Sequence, residues 1–179
     1  MLVLLAAVAV LMFALSGCSG TSGASSADGP LSSGNGIHDR IPTGSICAPG
    51  GRPQTFGAQQ FTNYGNTTVV LNRVVLLRPR NERLIGSFAV PGNQDIGVPG
   101  NWPPKYPGIS PAWKHRQPVH GYRVLPHGLF NMVLGVAAIN ARRQAVSQGM
   151  LLYYHDSSGT YVAKNYFGNV IAAISRACD

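Results

Sequence analysis

The apolar residues of this chain fall into short runs cut by glycine, proline and small polar residues, without the 3.6-residue spacing of an amphipathic helix. QFTNYG at 60–65, TVVLNRVVLLR at 68–78, RLIGSFAV at 83–90 and VHGYRVL at 119–125 are followed by GLFNMVLGVAAI at 128–139, GMLLYYH at 149–155, TYVAKN at 160–165 and GNVIAAIS at 168–175. Val, Leu, Ile, Tyr and Phe dominate these runs, and such residues suit a pleated, half-buried surface. The pattern predicts an all-β protein, an antiparallel β-sandwich of about seven to eight strands.

Two runs carry finer detail. In LLYYHDSSGTYVAKN, Asp156–Gly159 reads as a turn with Gly159 suited to positive φ, so Leu151–His155 should pair with Thr160–Lys164. Strict alternation in TVVLNRVVLL would put Val70, Asn72, Val74 and Leu76 on one face. A bulge near Asn72 instead turns Leu71, Val74 and Leu76 inward together. Only AINARRQAVSQ, 138–148, has the alanines and glutamines for a turn or two of helix.

The segment from Pro91 to Pro118, PGNQDIGVPGNWPPKYPGISPAWKHRQP, has neither period. Loops this long and rich in Pro and Gly are uncommon inside a compact domain and often carry function. Trp102, Tyr106 and Trp113, with Lys105, Lys114 and Arg116, make it a candidate binding surface for a sugar or a peptide. The competing role for rings flanked by prolines is to pack the loop onto its own domain.

The amino-terminal region is different in kind. Met1–Gly17 has no charged side chain, and LVLLAAVAVLMFAL has the length of a signal-peptide core. Leu15, Ser16, Gly17 and Cys18 then resemble the lipobox of bacterial lipoproteins, LSGC at 15–18. That resemblance implies cleavage before Cys18, acylation of its thiol, and a protein held by lipid at the cell membrane and facing outside the cytoplasm. Two or more acyl chains give stable anchoring where one gives only marginal binding. Residues 19–36, SGTSGASSADGPLSSGNG, have the composition of a flexible spacer. The resulting division is a signal peptide at 1–17, a lipidated cysteine and Gly/Ser linker at 18–36, and a sandwich domain at 37–179.

Export changes how the remaining composition reads. Fourteen Lys plus Arg against six Asp plus Glu give a net charge of +8, which suits anionic polymers or lipid surfaces; outside the cytoplasm nucleic acid is not the expected partner. The basic residues are spread along the sequence, RPRNER at 78–83 being the densest run, so they read as a generally basic surface. With Cys18 carrying lipid, two of the three cysteines remain, Cys47 before the first expected strand and Cys178 after the last. In an oxidising compartment they should pair and tie the two ends of the domain together.

Catalytic patterns are missing. There is no Gly-x-Ser-x-Gly, His-Glu-x-x-His or Ser-x-x-Lys set, the few carboxylates make a poor glycosidase pair, and prolines spoil GVPGNWPP as a phosphate loop. His115, His120 and His127 fall close together in HRQPVHGYRVLPH and are the candidate zinc or copper ligands, although their spacing matches no standard metal motif and Arg116 and Arg123 lie among them.

From FTNYGNTTVVLNRVVLL through LIGSFAVPG, LFNMVLGVAAI and LLYYHDSSGTYVAK to the last run before Cys178, the layout is similar to small extracellular domains of uncharacterised lipoproteins. It implies an immunoglobulin-like sandwich. The expected function is a membrane-anchored, non-catalytic binding or structural module without a cofactor, for an envelope protein or an anionic polymer; the alternative is an extracytoplasmic metal-binding protein.

Overall fold

The computed structural model describes residues 29–34, 44–93, 96, 100–105 and 110–178. The expected signal peptide, Cys18 and Tyr106 lie outside the described residues. The strands are β1 (Leu31–Ser33), β2 (Gly44–Ala48), β3 (Gln54–Asn63), β4 (Val69–Leu76), β5 (Glu82–Pro91), β6 (Gly100–Asn101), β7 (Gln117–Pro118), β8 (Arg123–Val124), β9 (Leu129–Ala138), β10 (Ala145–Ser147), β11 (Met150–His155), β12 (Thr160–Asn165) and β13 (Phe167–Ile171), with one 3-10 turn at Pro111–His115. Eight of these strands have five or more residues. The chain forms the expected all-β antiparallel sandwich.

One sheet runs β1-β3-β9-β5-β7, with β6 also on β3; a second runs β12-β11-β4-β8; a third, small one runs β10-β13-β2. The core joins Phe56, Phe61, Phe130, Met132 and Leu134 of the first sheet to Val69, Leu71, Val74, Leu152 and Tyr154 of the second. Phe61 and Phe130 stack with ring centres 5.5 Å apart.

Local sequence explains most of this register. β4 skips one residue against β11, because Tyr153 faces Arg73 while Tyr154 faces Leu71. Asn72 is the extra residue, and Leu71, Val74 and Leu76 all reach the core as expected. The β11–β12 hairpin pairs Leu151 with Lys164 and His155 with Thr160. Its turn is closed differently from expectation: Gly159 stays out of the left-handed region. Asp156 holds it instead, accepting the Ser158 N–H at 2.7 Å, the Gly159 N–H at 3.1 Å and the Thr67 hydroxyl at 3.1 Å. Desolvation would raise the Asp156 carboxyl, but these donors outweigh it and hold the group below its ordinary value.

Three expectations change. Leu31–Ser33, assigned to the linker, pair with Asn63–Phe61 as an edge strand. Leu31 is the apolar residue of that stretch and it is buried, while the Ser33 hydroxyl donates to the Lys164 carbonyl. The segment 138–148 is a turn leading into β10 rather than a helix, because Asn81 ties up its backbone. Within 119–125 only Arg123–Val124 pair as strand, yet Val119, Tyr122 and Val124 still fill the core.

The third sheet contains the one parallel pairing among the described residues, β2 with β13, which places Cys47 opposite Val170. A few residues on, Cys178 folds back to form a disulfide with Cys47 across a sequence separation of 131. Opening so large a loop should cost about 5 kcal/mol by the chain-entropy estimate. Cys47→Ser with Cys178→Ser is therefore expected to lower the unfolding free energy in urea by that amount with little change in secondary structure; an unchanged midpoint would contradict it.

Candidate functional site

The long loop packs on the outer face of the first sheet. β9 is buried along nearly its whole length because Phe130, Met132 and Leu134 face the sandwich while Val133 faces this loop. The continuous apolar run at 128–139 reflects cover on both sides. Val90, Ile96 and Val133 form a second small core, against which Trp102, Ala112 and Trp113 pack. Gly86 and Gly135 are register partners, and the Trp102 indole lies directly on both. A methyl group at either position would collide with the ring.

From that floor the aromatic contacts build outward. Phe88 lies 5.9 Å from Trp102 and 5.4 Å from Trp113, whose ring meets Trp102 edge-on at 6.4 Å. The Arg116 guanidinium caps the stack 4.7 Å from the Trp113 centroid. Lys114 and Arg116 are exposed at the rim, whereas both indoles are half-buried. Of the candidate binding residues, the structure joins Trp102, Trp113 and Arg116 in a packing cluster.

The three candidate metal ligands do not converge. His115 is exposed on the 3-10 turn, and His127 sits at φ 58° in the approach to β9. His120 donates from Nδ1 to the Asn72 carbonyl at 3.1 Å, while His155 donates from Nδ1 to the Asn72 side-chain oxygen at 2.9 Å. Both imidazoles fasten the β4 bulge. Among the described residues no three His, Cys, Asp or Glu side chains come together as a metal site.

A charged feature stands out only in three dimensions. The β2–β3 loop supplies Arg52 and the β4–β5 connection supplies Arg78 and Arg80, with Arg83 just beyond it. The β9–β10 turn adds Arg142 and Arg143, and the tail adds Arg176. All seven are exposed and lie at one end of the sandwich. They are half of the fourteen basic side chains of the sequence. The described carboxylates are Glu82, which is buried, and Asp156, which closes the hairpin at the opposite end. The generally basic surface expected from the sequence is thus densest at this end.

Asn81 organises this end. At φ 55° its amide donates to the carbonyls of Asn140 and Arg143, both at 2.9 Å, and its side-chain oxygen accepts the Asn140 N–H at 2.8 Å. The tail is tied to the same turn by Ile174 N–H donating to the Ala141 carbonyl at 3.0 Å. Between turn and tail lies a groove of ≈ 600 Å³, lined by Arg142, Arg143, Arg176, Ser45 and both halves of the disulfide. Sequence alone offered one clue: RPRN, NARRQ and SRAC all lie outside the long strands, and alternate connections of an antiparallel sandwich emerge at the same end.

In the interior near this end sits an acidic group. Glu82 is 4% exposed and neither carboxylate oxygen has a hydrogen-bond partner. Desolvation raises the carboxyl from 4.5 to about 7, with the nearby Ser147 hydroxyl offsetting only part of the rise. Asn169, also buried, leaves its side-chain oxygen unpaired beside Ser147.

No family model matches the chain, and no curated protein matches it. Among solved structures the chain is similar to the ASH/PapD-like domain of human CEP192, at TM-score 0.38 and 12% identity, covering 93% of this chain and 100% of that one. It is also similar to the secreted serine protease VesC from Vibrio cholerae, at TM-score 0.27 and 14% identity, over 69% of this chain and 21% of that one. With likeness this distant, the site is read from the chain's own geometry.

Two measurements check these contacts. Gly135→Ala should lift Trp102 off the sheet, shifting tryptophan emission to the red and costing about 1–3 kcal/mol; unchanged emission would contradict the glycine floor. For Glu82, the unfolded carboxyl ionises near 4.5 while the folded one resists until about 7. Stability is then greatest below the lower value and falls as pH rises through that window, by on the order of 3 kcal/mol. Glu82→Gln should flatten the curve, and parallel curves for the two proteins would contradict it.

Proposed function

We propose that the chain is an extracytoplasmic lipoprotein, acylated at Cys18, whose sandwich is a non-catalytic module that binds a component of the cell envelope. The observation that carries the reading is the Cys47–Cys178 disulfide, which joins β2 to the end of the chain. Such a bond persists in oxidising compartments and is rare where thiols are kept reduced. The lipobox-like LSGC supplies the matching export signal and the means of attachment.

The geometry favours binding over catalysis. Among the described residues, a surface rich in exposed guanidinium groups, with the Asp156 carboxylate at the opposite end, offers recognition by charge. The loop from 91 to 118 turns its indoles onto its own sheet, whereas the arginine end keeps seven guanidinium-bearing side chains exposed. Partner class in this reading is an envelope protein or an anionic polymer.

Cys18→Ala expressed in a bacterial host should move the chain from the membrane fraction to the soluble extracytoplasmic fraction or leave it as uncleaved precursor. Mass spectrometry of the native chain should find an acylated amino-terminal cysteine. An unmodified Cys18 with residues 1–17 retained, and identical fractionation of the two proteins, would overturn the reading.

A further inference from the structure

The arginine end is more than a patch of charge. Seven arginines gather there: Arg142, Arg143 and Arg176 line the groove, Arg52, Arg78 and Arg80 stand on the adjoining connections, and Arg83 stands at the start of β5. Large apolar side chains are exposed among them. Ile139 is 68% exposed at the start of the β9–β10 turn, and Ile174 is 64% exposed where the tail crosses it. A simple polyanion would use the guanidinium groups and leave the isoleucines idle. Protein interfaces, in contrast, are enriched in arginine and aromatic residues and poor in lysine, and they combine charged contacts with desolvated apolar anchors.

The direction of the chain argues against the bilayer as the source of negative charge. Leu31 pairs with Asn63 and the Pro30 carbonyl accepts the Tyr64 N–H, so the chain enters the sandwich from the amino-terminal side at the Asn63 end of β3. The groove lies beyond the Gln54 end. Those two ends of β3 are about 30 Å apart at the usual rise per residue. The field of a headgroup layer is screened within about 8 Å at physiological salt.

We propose that the groove bounded by Arg142, Arg143, Arg176 and the disulfide, flanked by Ile139 and Ile174, docks an acidic segment of a partner protein that also carries apolar side chains. The inference rests on the reading of the chain as a binding module and names the partner class. Asp or Glu side chains would pair with the guanidinium forks, and Leu-, Ile- or Phe-type side chains would cover the two isoleucines. Asn81 is a positioning residue, since it fixes the turn that carries Arg142 and Arg143.

The test is a selection of random peptides displayed on phage, with the full chain anchored in a zwitterionic bilayer as bait. Recovered peptides are then measured individually by titration. Sequences that combine Asp or Glu with large apolar residues are expected. Arg142→Gln, Arg143→Gln and Arg176→Gln together should weaken them about tenfold or more, by loss of the charge-assisted pairs. Ile174→Ser should weaken them several-fold. Arg73→Gln, Arg123→Gln and Lys164→Gln, which remove the same charge from the other sheet, should leave affinity within about twofold because distant exposed charges are screened.

Asn81→Ala keeps every guanidinium and should still weaken binding, which a diffuse basic surface would not show. Circular dichroism checks that each variant is folded. Selected peptides without acidic residues, failure to enrich any sequence, or equal losses in the two triple variants would overturn the proposal. So would tighter binding of long-chain polyphosphate, which makes the groove a polyanion site, or of phosphatidylglycerol vesicles, which makes it a membrane face. Those results would leave the acylation of Cys18 untouched, and an unacylated chain that still selects acidic peptides would separate the two readings in the other direction.

Discussion

The Cys47–Cys178 bond is the constraint on which the other features converge. β2 makes a parallel pairing with β13, a geometry that no short connection can provide and that spans most of the domain in sequence. Without the covalent tie, the residues after Ala173 would be held by a few backbone contacts, such as those of Ile174 and Arg176. With it, the tail lies against the β9–β10 turn, and both cysteines become part of the groove wall beside the arginines. One bond therefore closes the fold and builds the charged recess.

The opposite problem, a sheet with too much apolar surface, is met by the long loop. A sandwich covers one face of each sheet, yet β9 and the facing part of β5 are apolar on both. Two glycines in register leave a flat strip of backbone, and Trp102 lies on it with Trp113 and Phe88 packed alongside. The loop's aromatic residues supply the third layer. What they leave free at the rim is cationic, Lys114 and Arg116, with Arg116 partly committed to its stack on Trp113.

How much could be read from the sequence follows the range of the interaction. The β11–β12 hairpin and the bulge at Asn72 are set by neighbours within a few residues, so alternation and turn composition disclosed them. The disulfide was legible through cysteine count and compartment rather than through geometry. β1 was hidden because one leucine in a run of Gly and Ser carries no periodicity, although burying it is enough to dock a three-residue edge strand. Arginines from position 52 to position 176 meet only because several connections emerge at one end of the sandwich, and that depends on strand order. The buried Glu82 sits in a run, RPRNER, that looks wholly solvent-facing; it opens β5, where strand alternation turns its side chain inward and leaves the next residue, Arg83, exposed.

Recognition, on this view, is a consequence of covalent closure: the disulfide holds Arg176 and Ile174 over the turn bearing Arg142 and Arg143. The most direct measurement compares the affinity of one acidic, apolar-bearing peptide for the chain before and after mild reduction, with circular dichroism showing that the sandwich stays folded in both. A several-fold loss on reduction, regained on reoxidation, is the expected result. Equal affinity in the oxidised and reduced chain would contradict the dependence of the groove on that bond.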